Sequence, residues 1–183
     1  DTVLKTAISD LEVDQREVNS KLYHIKYPIC ETNEFITIAT TRPETMLGDT
    51  AIAVNPNDSR YDHLVGKDVS IPIVGRKIKI IHDSYADPNQ GTGAVKITPA
   101  HDFNDYDVGK RNQLAIISIL TEDGKINNNA PSDFIGLDRF VARKKILEEL
   151  AKNKCLVKEE NIKNKVPYGD RSNSIIEPFL TEQ

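Results

Sequence analysis

Short runs of apolar and β-branched residues, separated by turn signals, recur along the sequence and constrain the fold more than any other feature. Each run has the length and composition of a strand, and the segments between them are rich in asparagine, aspartate, glycine and proline. Many short strands, with a few helices in the connections between them, favour a β-barrel or a strongly bent sheet with peripheral helices. The predicted strands cover residues 22–27, 35–40, 51–54, 69–74, 77–81, 94–98, 115–120 and 175–180.

The clearest helical pattern covers residues 137–153. A doubly wound α/β fold is disfavoured, because that fold places a glycine fingerprint after a strand, whereas Gly91-Thr92-Gly93 precedes one. Within the predicted helix, apolar residues at three- and four-residue spacing predict the buried face, which consists of Leu137, Phe140, Val141, Leu147, Leu150 and Ala151.

Composition narrows the class of protein. The 183 residues have about the length of one domain, and the net charge is −4. A stand-alone nucleic-acid-binding domain is expected to be basic, so any nucleic-acid contact should be local or anchored outside this chain. Two distant cysteines, Cys30 and Cys155, indicate neither a disulfide scaffold nor a thiolate zinc site and suit the reducing cytoplasm. The longest apolar run, at 114–120, is far shorter than the ~20 residues of a membrane span.

The strand predicted at 35–40 ends in the polar sequence Thr40-Thr41-Arg42-Pro43-Glu44-Thr45. Thr41 and Glu44 have the spacing of a capping box, and Pro43 suits a first helical turn, so the segment predicts a short helix that ends at Gly48. Hydroxyls and a guanidinium at such a helix start are also typical of a site for an anion or a hydroxyl-bearing ligand. The sequence leaves both interpretations open.

A second polar segment, Thr98-Pro99-Ala100-His101-Asp102-Phe103-Asn104-Asp105, follows the strand predicted at 94–98. Lys96 and Thr98 are two residues apart and therefore point to one face of that strand. Asp102 is a good N-cap and Asp105 suits the first helical turn, but two neighbouring carboxylates repel each other unless a cation lies between them. That cation could be Lys96, a metal ion or an ammonium group of a ligand.

Together these segments resemble the editing domain of the valyl-tRNA synthetase family. The resemblance covers essentially the whole chain and rests chiefly on two motifs in order, residues 40–51 and 91–111. It implies an α+β, mainly β fold with a closed β-barrel core and peripheral helices. Because the chain starts at Asp1 and its only methionine, Met46, is internal, we expect a single editing domain, 1–183, excised from a longer synthetase.

The resemblance also implies an activity, the hydrolysis of threonyl-tRNA(Val). A pocket shaped for valine rejects isosteric threonine by only about 10²-fold, a figure already established for the valyl-tRNA synthetases themselves, so a second site must read the threonine hydroxyl. The implied partners are the 3′ CCA end of tRNA(Val) and the remainder of the synthetase, with no membrane. The ATP-site signatures of the family are absent from these residues, so we expect no cofactor and no amino-acid activation.

Residue roles follow from the resemblance position by position. Asp105 is expected to hold the α-ammonium group of the substrate and to help read the threonine hydroxyl. Thr41, Arg42 and Lys96 complete the expected catalytic group; threonine hydroxyls or Lys96 would stabilise the oxyanion that forms when water attacks the ester. The expected substrate-binding residues are Thr40, Thr45, Thr98, His101, Asp102 and Asp105.

Two further functions are open at this point. His101, Asp102 and Asp105 supply three potential ligands for a metal-dependent hydrolase, although no second histidine has a matching spacing. A module that binds the aminoacyl-tRNA end without chemistry would use the same polar residues. The group that accepts the proton of the attacking water is also open, between His101 and a ribose hydroxyl of the substrate.

Overall fold

The computed structural model describes residues 1–181. Within this range, loops and short 3-10 helices join seven strands and two α-helices. The strands are β1 (Val13–Pro28), β2 (Phe35–Thr40), β3 (Ala51–Val54), β4 (Asp68–Ser70), β5 (Lys77–His82), β6 (Ala94–Ile97) and β7 (Leu156–Gly169). The α-helices are α1 (Phe103–Arg111) and α2 (Arg139–Lys152), and the 3-10 helices are Asp10–Glu12, Pro43–Gly48, Ser59–Leu64 and Ser132–Phe134.

The strands form two sheets. In the first sheet, β1 lies between β2 and β7 and is antiparallel to both. In the second sheet the order is β4-β5-β3-β6, where β3 and β5 are parallel and the other pairs are antiparallel. The pairing of β1 with β7 runs from Val13 with Gly169 to Ile25 with Leu156, so the outer halves of these strands form a long two-stranded ribbon.

The expected mainly β fold with peripheral helices is confirmed, whereas the closed barrel is wrong for residues 1–181. Both sheets are open, and an isolated bridge between Ile29 and Val69 connects them. Where β2 and β6 approach each other, the Thr92 hydroxyl donates to the Thr37 carbonyl at 2.5 Å in place of a backbone ladder. Closure fails because β4 has only 3 residues and because much of β1 pairs with β7 outside the core.

The apolar faces of the two sheets form one core, to which α2 contributes. Its fully buried residues include Ile25, Tyr27, Ile38, Ile52 and Ile80. Burial of an aliphatic or aromatic side chain of this size contributes about 1.5–3 kcal/mol. The strand ends that carry the polar motifs therefore emerge from a rigid scaffold.

The helix predicted at 137–153 is confirmed as α2, but it turns a different face to the core. Phe140 and Val141, predicted to be buried, are 38% and 54% exposed. The buried face includes Arg139, which donates to Glu177 at 2.6 Å and to the Ile175 carbonyl at 2.8 Å. A paired, buried arginine is invisible to a search for an apolar stripe.

No helix in the described range is long and apolar enough to cross a membrane.

The strands that position the polar motifs are well predicted. β2 and β3 have the predicted bounds, and β5 and β6 differ from them by one residue. β7 has no counterpart among the predicted strands, because its exposed lysines, glutamates and asparagines leave it without a clear apolar face. The outer half of β1 is missed for the same reason.

Three predicted strands are shortened or absent. The run at 69–74 is reduced to β4, since Ile73 has a left-handed conformation with φ 72°. The segments 115–120 and 175–180 form only isolated bridges. Apolar composition alone predicts these segments as strands, but in the fold their side chains pack without a continuous backbone ladder.

Helix α1 packs closely on the loop that follows β6, and this contact places the second polar segment. Gly109 lies on α1 directly against Pro99. A Cβ atom at Gly109 would lie 2.8 Å from Pro99 Cγ and 2.9 Å from Pro99 Cβ. The absence of a side chain at this position therefore sets how near α1 comes to the strand end.

Gly109→Ala is expected to destabilise the protein, although alanine favours a helix over glycine by about 1 kcal/mol. Overpacking typically costs about 1–3 kcal/mol, and the two close contacts with Pro99 place this substitution in the upper part of that range. After the helix gain is subtracted, we expect a net loss of about 1–2 kcal/mol in the free energy of unfolding measured with urea. The exposed Lys110→Ala substitution on the same helix is the control and should stay within about 0.5 kcal/mol. A Gly109→Ala variant as stable as the unsubstituted protein would contradict this packing.

Candidate functional site

The two polar motifs lie side by side at one cavity of about 550 Å³. Arg42, after β2, donates from Nη1 to the carbonyl of His101, after β6, at 3.1 Å. This bond joins the two motifs directly. The cavity brings together every site residue named from the sequence, which are Thr40, Thr41, Arg42, Thr45, Lys96, Thr98, His101, Asp102 and Asp105.

The turn after β2 differs from the predicted capping box. The Pro43–Gly48 segment is a 3-10 helix whose N-cap is Arg42 rather than Thr41. Thr40 Oγ1 accepts from the Arg42 amide at 3.0 Å, and the Thr45 hydroxyl donates to the Arg42 carbonyl at 3.0 Å. The predicted end at Gly48 is confirmed. The capping box is wrong because the Glu44 carboxylate is engaged elsewhere.

Glu44 is fully buried and paired with arginines. Arg143 of α2 donates to its carboxylate from Nε at 2.7 Å and from Nη2 at 2.9 Å, and Arg42 donates from Nε at 3.3 Å. Burial alone would raise the pKa of Glu44, but the hydrogen bonds and charges of Arg143 and Arg42 hold that pKa below its ordinary value. Arg42 also donates to Glu177, so its guanidinium is held from three sides.

A second charged group is centred on Asp49, which is fully buried behind the cavity-lining residues Thr45, Lys96 and Thr98. Lys96 Nζ donates to Asp49 Oδ1 at 2.9 Å, to Thr45 Oγ1 at 2.8 Å and to Thr98 Oγ1 at 2.5 Å. The Thr98 hydroxyl donates to Asp49 Oδ1 at 2.6 Å, and the buried Tyr27 hydroxyl donates to Asp49 Oδ2 at 2.6 Å. All three donors of the Lys96 ammonium group are therefore used within the protein.

The two aspartates of the second motif have different environments. Asp102 is exposed and caps α1, accepting from the Asn104 and Asp105 amides at 2.8 and 3.0 Å. Asp105 is only 7% exposed, and its carboxylate accepts from the Thr98 amide at 2.8 Å. Burial raises the pKa of Asp105 to about 6, although the positive charge of Lys96 opposes the rise. Asp105 is thus a buried carboxylate whose charge a cationic ligand would stabilise.

The three potential metal ligands of the second motif do not form a metal site. Nε2 of His101 accepts from the Ile119 amide at 2.9 Å, Asp102 caps a helix, and Asp105 accepts from Thr98. Across residues 1–181, no group of three or more His, Cys, Asp and Glu side chains is placed to hold a metal ion. The geometry gives a metal-dependent hydrolase no support.

The structure adds site residues that sequence reasoning missed. Asp49 lies within the first motif, and its position one residue after Gly48 gave no sign that it would be buried. Tyr85, from the loop after β5, lines the same cavity. Burial and the nearby charges of Asp105 and Asp102 raise the pKa of Tyr85 to about 12, so its hydroxyl stays protonated. A lone tyrosine in a loop carries no pattern by which it could have been found.

The sequence is similar to parts of known aminoacyl-tRNA synthetases. Residues 61–136 match the family model described as leucyl-tRNA synthetase, editing domain. The chain is 76% identical over 183 residues to the valine–tRNA ligase of Pelagibacter ubique (strain HTCC1062), covering 100% of this chain and 21% of that protein. It is 55% identical over 183 residues to the valine–tRNA ligase of Legionella pneumophila (strain Paris), covering 100% of this chain and 20% of that protein. The chain thus spans about a fifth of the length of these curated relatives.

A solved structure shares the fold. The chain is similar to a crystal structure of the ternary complex of Agrobacterium radiobacter K84 agnB2 LeuRS with tRNA and LeuAMS. The TM-score is 0.61 at 19% identity, and the match covers 80% of this chain and 20% of that chain. At this identity the likeness concerns the arrangement of strands and helices.

The buried Asp105 carboxylate gives a measurable dependence of stability on pH. Its pKa is about 6 in the folded protein and ~3.9 in an unfolded chain, so between these values the folded state holds more protons. The free energy of unfolding should therefore fall as pH rises from 4 to 7. Since one pKa unit corresponds to ~1.36 kcal/mol, we expect a fall of about 1–3 kcal/mol when the unsubstituted protein is compared with Asp105→Asn. Urea denaturation at each pH measures this difference.

The control for this experiment is Asp107→Asn, which removes an exposed carboxylate from the same helix. Its free energy of unfolding should run parallel to that of the unsubstituted protein across the pH range. Parallel curves for Asp105→Asn as well would show that Asp105 is not held in a buried, charge-disfavouring position.

Proposed function

The chain belongs to the editing domains of aminoacyl-tRNA synthetases, in the valine–tRNA ligase branch, and from this premise we propose that it hydrolyses the ester of threonyl-tRNA(Val). The main support for this proposal is the chemistry of the cavity. A buried carboxylate, Asp105, lies in the same cavity as threonine hydroxyls whose hydrogens are already donated to the protein. Such a cavity suits a ligand with an ammonium group and a hydroxyl.

Asp105 is proposed to bind the α-ammonium group of the esterified amino acid. The carboxylate already accepts one hydrogen bond from the Thr98 amide, which fixes its orientation and leaves other lone pairs for a ligand. A bound ammonium group would lower the raised pKa of Asp105 and favour its charged form. Clamping the ammonium group also orients the ester, and orientation of reactants contributes several kcal/mol to catalysis, with about 7–11 as a limit.

Thr45 and Thr98 are proposed to read the threonine hydroxyl as acceptors. The Thr45 hydroxyl donates to the Arg42 carbonyl, the Thr98 hydroxyl donates to Asp49, and Lys96 donates to both oxygens. Each oxygen therefore has no hydrogen left to donate and one lone pair free. A hydroxyl can satisfy such an acceptor and a methyl group cannot, which is the difference between threonine and valine.

We propose that Lys96 and Arg42 hold other groups of the site in position. The Lys96 ammonium group holds Thr45, Thr98 and Asp49, and the Arg42 guanidinium holds Glu44, Glu177 and the His101 carbonyl. Thr41 and Thr40 belong to the same cavity wall, and Asp102 fixes the start of α1. The expectation that Lys96 stabilises the oxyanion directly is weakened, since its three donors are already used.

The reaction we propose is attack by water on the ester carbonyl. The water oxygen bonds to the carbonyl carbon, the bond from that carbon to the ribose oxygen breaks, and the ribose oxygen takes up a proton. A ribose hydroxyl beside the ester is the proposed route for that proton. No metal or cofactor enters the proposed step.

The proposed partners are the 3′ CCA end of tRNA(Val) and the rest of a synthetase, in the cytoplasm. The formal net charge of −4 argues against strong binding of the tRNA body by this chain alone. We therefore propose that the rest of the enzyme binds the tRNA body and that this cavity binds the single-stranded 3′ end. The Agrobacterium LeuRS structure of similar fold is a complex with tRNA by its title, and this chain matches 20% of that protein chain, which agrees with tRNA and the rest of a synthetase as partners.

The test uses a Pelagibacter ubique valine–tRNA ligase in which this chain replaces its matching segment. The hybrid should release threonine from threonyl-tRNA(Val) much faster than valine from valyl-tRNA(Val). Asp105→Asn should slow threonine release by ~30-fold or more, since loss of a charge-assisted contact costs about 2 kcal/mol or more. The measurement is the first-order decay of each radiolabelled aminoacyl-tRNA.

Asp107→Asn is the matched control and should leave threonine release unchanged, because Asp107 is exposed on the outer side of α1. If both aminoacyl-tRNAs decay equally and at the background rate, the chain binds the aminoacyl-tRNA end without hydrolysing it. Loss of activity on treatment with a chelator, restored by a divalent metal, would favour the metal-dependent hydrolase instead. Undiminished threonine release by Asp105→Asn would refute the assignment of Asp105.

A further inference from the structure

His101 lies where two cavities meet. One is the site cavity, and the other is an adjoining groove of about 1040 Å³ that extends along β1, β7 and the segment 175–179. His101 lines both, together with Thr41, Arg42 and Asp102, yet only 1% of its surface is exposed. His101 therefore forms part of the wall that the two cavities share.

The backbone fixes the tautomer of this histidine. The Ile119 amide donates to His101 Nε2 at 2.9 Å, so Nε2 accepts, and in the neutral ring the hydrogen lies on Nδ1. Nδ1 is buried and finds no hydrogen-bond partner within residues 1–181. A buried donor without a partner destabilises the folded protein, and an acceptor on a ligand would satisfy it.

Burial, helped by nearby positive charges, keeps the ring neutral. Burial lowers the pKa of His101 to about 3, and the positive charges of Arg42 and Lys96 lower it while Glu44 opposes them. The one nitrogen that could take up a proton, Nε2, is occupied by the Ile119 amide. His101 is therefore built as a hydrogen-bond donor and not as the proton acceptor for the attacking water.

We propose that His101 is a catalytic residue whose Nδ1–H donates to the carbonyl oxygen of the bound aminoacyl ester. The proposal rests on the proposed function. With the amino acid held at Asp105 in the site cavity and the ribose placed toward the groove, the ester carbonyl between them would fall at the boundary that His101 lines. That oxygen becomes negative as water adds to the carbonyl carbon, and a fixed donor stabilises it while the imidazole neither gains nor loses a proton.

Two substitutions separate the two nitrogens of the ring. In His101→Gln the side-chain oxygen can replace Nε2 as acceptor for Ile119, and the Nδ1 donor is lost. In His101→Asn the amide nitrogen can replace the Nδ1 donor, and the acceptor for Ile119 is lost. Loss of the acceptor for Ile119 should make His101→Asn the less stable of the two variants. If Nδ1–H acts on the ester as proposed, His101→Gln should be the less active of the two.

In the hybrid ligase, we expect His101→Gln to remain folded and to lower kcat for threonine release by about 10²–10³-fold, with little change in KM. His101→Asn should unfold at lower urea concentration but retain a kcat within about tenfold of the unsubstituted enzyme. Full activity of His101→Gln would overturn the proposal. Loss of activity in both variants, with His101→Asn folded, would overturn it in favour of proton transfer by the ring.

A second measurement does not depend on turnover. Nitrogen-15 NMR of the imidazole should show the hydrogen on Nδ1 from pH 5 to 8, and the Nδ1 resonance should shift when 3′-threonylamido-3′-deoxyadenosine, a non-hydrolysable amide, is added. A hydrogen on Nε2, a ring that titrates in this range, or an Nδ1 resonance unmoved by the amide would each contradict the proposal. Absence of threonine release by the unsubstituted hybrid would instead refute the proposed function, while the tautomer result would still stand.

Discussion

The buried ion pair between Lys96 and Asp49 is the interaction on which the rest of the site depends. It joins β6 to the residue that follows the Pro43–Gly48 helix, and through the Tyr27 hydroxyl it reaches β1. Removal of one partner from such a buried pair typically costs about 3–5 kcal/mol, because the other charge is left unpaired. The pair thus ties the cavity wall to both sheets and keeps the two motifs in register with each other.

The same pair fixes where the hydroxyl hydrogens of the wall point. With Asp49 accepting from Thr98 and Lys96 donating to Thr45 and Thr98, the wall offers fixed acceptors and no mobile cation. Under the proposed function, this arrangement lets a small pocket distinguish a hydroxyl from a methyl group of nearly equal volume. Arg42 is engaged in a comparable way by Glu44 and Glu177, so neither Lys96 nor Arg42 is free to bind a ligand anion.

How far the sequence predicts this molecule depends on what each residue reveals locally. The apolar, β-branched run of β2, the two-residue spacing of Lys96 and Thr98, and the polar residues that follow both strands predict that Thr40–Thr45 and Lys96–Asp105 carry the site. The structure brings both segments to one cavity. The N-cap role of Asp102 is likewise confirmed, since it depends only on neighbours in the chain. The capping box at Glu44 fails because Arg143, 99 residues away, takes the carboxylate. Such a partner leaves no trace in the spacing of either motif.

If the cavity wall recognises a hydroxyl through preset acceptors, two ligands that differ only at that hydroxyl should bind with different affinities. Isothermal titration would compare 3′-threonylamido-3′-deoxyadenosine with its valyl counterpart, which differs only by a methyl group in place of the hydroxyl. We expect the threonyl ligand to bind at least about tenfold more tightly, since an unsatisfied buried acceptor costs about 1–3 kcal/mol. Equal affinity for the two ligands would contradict the account.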